Sequence, residues 1–216
     1  MAHVPYASAI GSLMYVMLCT RPNIAYTASM TSRSQSNPGP NHWTVVKNIL
    51  KYLRMTKDMV LVYGGDEPRV YGFTDSDFQS NVDDIKPIFG HIFTCNGGAV
   101  SWKSSKEETT IDSTTQAEYI VAFDATNEAV WIRKFIRKFV IELSVVPSIS
   151  SPVELYCDNT GAIARGKELR SHQKSKHIKR RYHIIREIIR RGDVAAQKVA
   201  LADNVVDQLT KAMTQQ

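Results

Sequence analysis

Cysteine is scarce in this chain. Cys19, Cys95 and Cys157 are the three among 216 residues. An odd number with no close pair argues against a disulfide scaffold and for a reducing compartment. The absence of any CxxC spacing removes the usual zinc cage. Long apolar runs are missing as well. Ala7 to Cys19 is apolar-rich, but it is too short and too interrupted to cross a bilayer. It also lacks the basic start and the cleavage site of a signal peptide. The expectation is a protein of the cytoplasm or nucleus, with no membrane attachment.

What is present is a globular composition, 43% hydrophobic and 22% charged, with a formal net charge of +6. That length holds one sizeable domain, or one domain with an appendage. The basic excess suits a polyanionic partner without proving one, and Lys174 to Arg191 carries most of it.

Met1 to Thr56 reads as helical. Tyr6, Ile10, Leu13, Met14 and Met17 recur at helical spacing. Arg21-Pro22-Asn23 breaks that helix, and a second follows through Ile24, Tyr26 and Met30. A third, after the turn-rich Ser36 to Asn41, carries Trp43, Val46, Ile49, Leu50 and Leu53 on one face. Residues 1–58 are expected to form a small helical subdomain, and 68–216 an α/β domain. Met59 to Tyr63 predicts a strand ended by Gly64-Gly65. Three more are expected at Val70 to Thr74, Ile88 to Thr94 and Ala99 to Lys103, the last two joined by an Asn96-Gly97-Gly98 hairpin turn. Ser113 to Phe139 predicts one long helix with Ala117, Ile120, Val121, Ala125, Ala129, Ile132 and Phe135 on its apolar stripe. Then follow a strand at Val153 to Cys157, a short helix at Asn159 to Arg165, a basic helix at Ser175 to Arg191, a strand at Val194 to Ala200 and a helix at Asn204 to Met213. The fold class is a mixed α/β sheet flanked by helices.

Four acids sit where elements end or helices begin. Asp75 leaves the strand Tyr71-Gly72-Phe73-Thr74, Glu118 lies early on the long helix, Asp158 follows Cys157, and Asp207 opens the last helix. A carboxylate at the edge of a buried strand is costly unless solvated, paired or holding a metal. Each acid alone is ordinarily a turn former, a cap or a solvated group. Together they suit a hard cation such as Mg²⁺, which takes oxygen ligands and keeps several waters. Asp77, Asp83 and Asp84 read as ordinary acids. Asn81-Val82-Asp83-Asp84 is only superficially similar to a polymerase Asp-Asp turn, because it lies on a polar loop.

Seven motifs in order resemble the ribonuclease H region of a copia-type retrotransposon Pol polyprotein. They are Phe73-Thr74-Asp75-Ser76-Asp77, Ser101-Trp102-Lys103, Ser113-Thr114-Thr115-Gln116-Ala117-Glu118-Tyr119, Cys157-Asp158-Asn159, Lys176-His177-Ile178, Arg181-Tyr182-His183-Ile184-Ile185-Arg186-Glu187 and Asp207-Gln208-Leu209-Thr210-Lys211. The leading part, through Tyr6 to Tyr15, Thr20 to Ile24 and His42-Trp43, is similar to the reverse-transcriptase connection. The resemblance implies a five-stranded ribonuclease H-like fold and cleavage of the RNA strand of RNA–DNA hybrids with two Mg²⁺, Mn²⁺ being a possible substitute. It implies Asp75, Glu118, Asp158 and Asp207 as the catalytic, metal-holding acids, with Asp203 as the alternative to Asp207. It implies an RNA–DNA hybrid as partner, together with the rest of a reverse transcriptase.

The basic helix adds cationic groups for phosphates: Lys176, His177, Arg180, Arg181, His183 and Arg186. Its apolar face is expected to be Ile178, Tyr182, Ile185 and Ile189. A solvated charged face is the bland alternative. Two departures from the family pattern stand out. Pro87 lies where a strand should begin and removes a ladder donor. Ala200-Leu201-Ala202-Asp203-Asn204 offers no histidine before the last acid. Polymerase fingers and palm are absent, so no polymerase activity is expected. The competing functional reading is a catalytically inactive retroelement remnant that binds nucleic acid or protein. An integrase-like strand-transfer domain fits less well, because its zinc-binding companion is missing.

Overall fold

The structure is a computed structural model that describes residues 4–64, 69–77, 87–106, 114–143, 151–158 and 176–211, with the side chains of 114–116, 140–143, 176–179 and 182 left out. The expected helix at Asn159 to Arg165, and Asp83 and Asp84, lie outside the described residues.

Three helices open the chain: α1 (Tyr6–Cys19), α2 (Ala25–Ser32) and α3 (Pro40–Met55). Pro40 suits the first turn of α3, where no backbone donor is needed. The His42 ring accepts a hydrogen bond from the Gly39 amide at 2.9 Å. Tyr6, Ile10, Leu13 and Met17 are the buried stripe of α1, as their spacing requires. Leu50 departs from expectation and is exposed.

The sheet follows in the order β3-β2-β1-β4-β5. β1 (Val70–Asp77), β2 (Ile88–Cys95) and β3 (Gly98–Lys106) form an antiparallel meander. Asn96 and Gly97 take positive φ, 50° and 81°, in the tight turn that the Asn-Gly pair predicts. Pro87 stands just before β2, so it deprives the ladder of nothing. Ile88 already pairs with Asp77. β4 (Val153–Cys157) runs parallel to β1, and β5 (Val194–Lys198) parallel to β4. This is the five-stranded ribonuclease H-like arrangement that the motif order implies.

The strand expected at Met59 to Tyr63 does not join the sheet. Met59, Val60, Val62 and Tyr63 are exposed, and the segment leans on the β2–β3 turn instead. The Gly64 amide donates to the Asn96 carbonyl, and the Tyr63 hydroxyl to the Ala99 carbonyl.

The two faces of the sheet are covered differently. On one face, α4 (Thr114–Leu143) and α5 (Lys176–Arg190) bury Ala125, Ala129, Ile132 and Ile188 against Phe93, Val153 and Leu155. Gly72 permits that layer. A Cβ there would stand 2.4 Å from the Phe93 ring and 2.8 Å from Leu155. The other face packs α1–α3 in one core with Ile92, Ala99, Val206 and Leu209. The Trp102 indole donates to the Met17 carbonyl at 2.8 Å, and the Ser29 hydroxyl to the Ser104 carbonyl at 3.2 Å.

Three expectations on helix faces need correction. Phe135 is exposed rather than in the α4 stripe, where Ile132 and Ile136 take the inner positions. On α5 the inner face is Ile184, Ile185 and Ile188, one residue away from the expected Ile189. The last helix is a single turn among the described residues, α6 (Asp207–Thr210), after a 3-10 turn at Leu201–Asp203. Asn204 is the reason. Its side-chain amide donates to the Thr74 carbonyl at 3.0 Å and holds the chain extended at that point.

Candidate metal centre and nucleic-acid face

The sheet register fixes the centre. Thr74 of β1 is level with Cys157 of the parallel strand β4, so Asp75 and Asp158 stand side by side on neighbouring strands; β1 runs on to Asp77 rather than ending at Thr74, which leaves Asp75 inside it. On the other flank of β1, Asp75 is opposite Gly90. A Cβ at Gly90 would meet Thr210 at 2.8 Å and Val206 at 3.1 Å, so glycine is what lets α6 approach. That approach brings the Thr210 hydroxyl onto the Asp75 carboxylate, Oγ1 to Oδ2, at 2.5 Å. α4 supplies the third acid from its second turn. Glu118 accepts hydrogen bonds from the Ser76 amide at 3.2 Å and the Ser76 hydroxyl at 2.7 Å. The Cys157 thiol approaches its other oxygen at 3.7 Å.

Asp75 and Glu118 are both buried, each 5% exposed. Desolvation raises both above the ordinary carboxylate range. For Asp75 the Thr210 hydrogen bond offsets part of this, and the charges of Asp158 and Asp207 add to it while Lys211 opposes. Glu118 is pushed up to about 8. Burial is the main cause, resisted by the Ser76 hydroxyl and augmented by Asp75 and Asp158. Asp207 is half-exposed and pairs with Lys211 one turn on. Asp203 is exposed on the preceding 3-10 turn. Of the two, Asp207 is the one whose charge acts on Asp75.

Among the described residues, ligand atoms of Glu118, Cys157 and Asp158 lie within 4.8 Å of one another. Asp158 Oδ1 is buried and has no hydrogen-bond partner. A buried anionic oxygen without a donor among the described residues, beside two acids whose protonation is favoured chiefly by burial, is a donor set that a divalent cation would complete. The residues present therefore fit Mg²⁺ or Mn²⁺. The thiol is a softer donor than such ions prefer, and its contact with Glu118 gives it a different task, holding that carboxyl.

The basic helix is placed in part. Arg180 and His183 are exposed. Arg181 is half-buried, its guanidinium 5.5 Å from the centre of the Phe123 ring on α4. Arg186 is half-buried and its Nε is enclosed without a partner among the described residues. The side chains of Lys176 and His177 lie outside the described residues.

Sequence reasoning did not single out Ser76, Cys157 or Thr210 as supports of the acids. Thr210 carried a faint signal, three residues after Asp207 and so one helical turn away. Nothing in the sequence pointed to its partner, 135 positions earlier.

The sheet order and the helices on its faces define a ribonuclease H-like domain. No protein-family model matches the chain. It is 40% identical over 213 residues, 99% of its length, to the retrovirus-related Pol polyprotein from transposon TNT 1-94 of Nicotiana tabacum, of which it spans 16%. It is 38% identical over 133 residues, 61% of its length, to secreted RxLR effector protein 161 of Plasmopara viticola, spanning 94% of that protein. Among solved structures, the foamy viral protease-reverse transcriptase dRH in complex with double-stranded DNA matches with a TM-score of 0.53 at 10% identity, covering 89% of this chain and 31% of that one, a likeness of fold. The chain is homologous to a segment of retrovirus-related Pol polyproteins from plant transposons, as the copia-type motif order implies. Among the described residues, no helix is long and apolar enough to cross a membrane.

Proposed function

We propose that this segment is a Mg²⁺-dependent ribonuclease H that cuts the RNA strand of RNA–DNA hybrids. The observation that carries the reading is the clustering of Glu118 and Asp158 ligand atoms within 4.8 Å of each other, beside Asp75 on the neighbouring strand, with Asp158 Oδ1 buried and lacking a donor among the described residues. Bound Mg²⁺ would activate water and stabilise the leaving oxygen of the phosphodiester. Asp75, Glu118 and Asp158 would hold the metal, and half-exposed Asp207 would complete its coordination from α6. Thr210 and Ser76 orient Asp75 and Glu118 for that work. Arg180 and His183 face solvent on α5, where they can meet backbone phosphates. Choice of substrate would rest on the 2′-hydroxyl and on groove shape, with little dependence on sequence.

A second reading, a binding module without turnover, is favoured by one observation. In the effector relative, the matching segment makes up nearly the whole protein.

The test is cleavage of an end-labelled RNA–DNA hybrid with Mg²⁺ by the wild type and by Asp158→Asn, with double-stranded DNA as control. Cutting of the RNA strand that disappears in the variant supports the nuclease. Salt-dependent hybrid binding with no cutting by either protein supports the binding module and overturns the nuclease.

A further inference from the structure

The outer side of α4 carries a feature that the acidic centre does not use. Trp131, Phe135 and Phe139 are 58%, 47% and 49% exposed, although α4 has a buried face available for large apolar groups. They fall at i, i+4 and i+8 and so form one row along the helix. The rings order one another. Trp131 and Phe135 are stacked with centroids 5.2 Å apart and planes 16° from parallel, and Phe139 follows at 4.6 Å. Lys134 and Lys138, three and seven residues after Trp131, are exposed and run along one edge of the row. Arg133 faces away and is engaged with Asp193 and the Gly192 carbonyl.

We infer that this row is a binding platform for a short stretch of single-stranded nucleic acid. Flat π faces edged by cations are complementary to a polyanion whose monomers carry flat rings, and bases of any identity stack on such faces. A second copy of the chain would bring Lys134 and its neighbouring cations against their own kind, and a hydrocarbon surface would offer the exposed Lys134 no counter-charge. The dimensions agree with a strand. Eight residues of helix span about 12 Å, the length of three to four nucleotides at about 3.4 Å each. Trp131 lies 13 residues beyond Glu118, about 20 Å along the axis and on the opposite side of the helix, so the row stands apart from the acids. It shares the nucleic-acid partner of the nuclease reading and uses none of its acids or metal.

The experiment measures binding of a fluorescently labelled single-stranded 12-mer to the full chain carrying Asp158→Asn, in chelator, by anisotropy across a salt series. Failure of the nuclease reading leaves this readout untouched, because no cleavage or metal is involved. Trp131→Ala with Phe135→Ala is expected to weaken binding by about tenfold or more, with Trp131→Tyr near wild type. Lys134→Ala is expected to flatten the salt slope by about one unit. Intrinsic fluorescence is the second measurement and needs no variant. Trp131 is the most exposed of the three tryptophans, so stacking should quench it as oligonucleotide is added. Double-alanine binding within twofold of the parent, or saturation by the 12-mer without quenching, overturns the proposal. So does a concentration-dependent dimer that is lost with the same two alanines.

Discussion

The acids fall into an inner pair and an outer pair, and the contrast between them explains how the centre is built. Asp75 and Glu118 are buried, each held by hydroxyl or amide donors from another element, and each has its proton affinity raised chiefly by desolvation. Asp158 and Asp207 are half-exposed, and Asp207 has a lysine for company. The inner pair carries a desolvation cost that the fold must offset when no cation is present. Asp207 can be hydrated, whereas Asp158 keeps one oxygen, Oδ1, out of water.

The contrast breaks most visibly in turnover. Asp75→Asn is expected to lower hybrid cleavage by more than about a hundredfold, since a lost metal ligand forfeits several kcal/mol of transition-state stabilisation. Asp207→Asn, at the hydrated rim, should cost about tenfold and raise the Mg²⁺ concentration needed. Steady-state rates across a Mg²⁺ series check this, and equal losses would erase the distinction between the pairs.

The next effect is on stability without metal. Glu118 titrates near 8 in the folded protein against an ordinary value of 4.5. Between those values the folded chain keeps a proton that the unfolded chain has lost. Stability is therefore fullest below the lower value and declines as pH rises, by at most about 1.4 kcal/mol per unit, until it levels off above pH 8. Glu118→Gln should abolish that slope and stabilise the metal-free protein at pH 8 by on the order of 2–4 kcal/mol. Urea unfolding in chelator at several pH values reads it directly. An unchanged slope in the variant would mean that Glu118 is not the strained inner acid.

The smallest effect tests the support beneath the inner pair. Thr210→Val removes the donor from Asp75 Oδ2, a hydrogen bond to a charged group worth about 1.5–3 kcal/mol. Cleavage should fall by about tenfold and return with Thr210→Ser. Failure of serine to restore it would assign the loss to packing around Gly90 instead.

Much of this was readable in advance. The meander, the Asn-Gly turn, the long helix and the parallel strand that delivers Asp158 all follow from period-2 and period-3.6 patterns with turn residues between them. The four acids stand out in the sequence because carboxylates near buried elements are costly and their motifs come in a specific order, and their roles remain part of the proposal. Misreadings occurred where an apolar stretch had more than one way to be covered. Met59 to Tyr63 has the texture of a strand and finds no sheet edge. Phe135 has the spacing of a core residue and finds its neighbours in two exposed rings. Asn204 sits where a helix was expected and spends its side chain on the Thr74 carbonyl. The sequence by itself determined the periodic elements and the chemical type of the centre, because both depend on residue kind at short range. Only the tertiary structure decided which acids are buried, that Thr210 and Ser76 hold them, and which helix faces remain in water. Those outcomes depend on contacts between residues dozens of positions apart, brought together by sheet register and by the Gly72 and Gly90 notches that let whole layers close in.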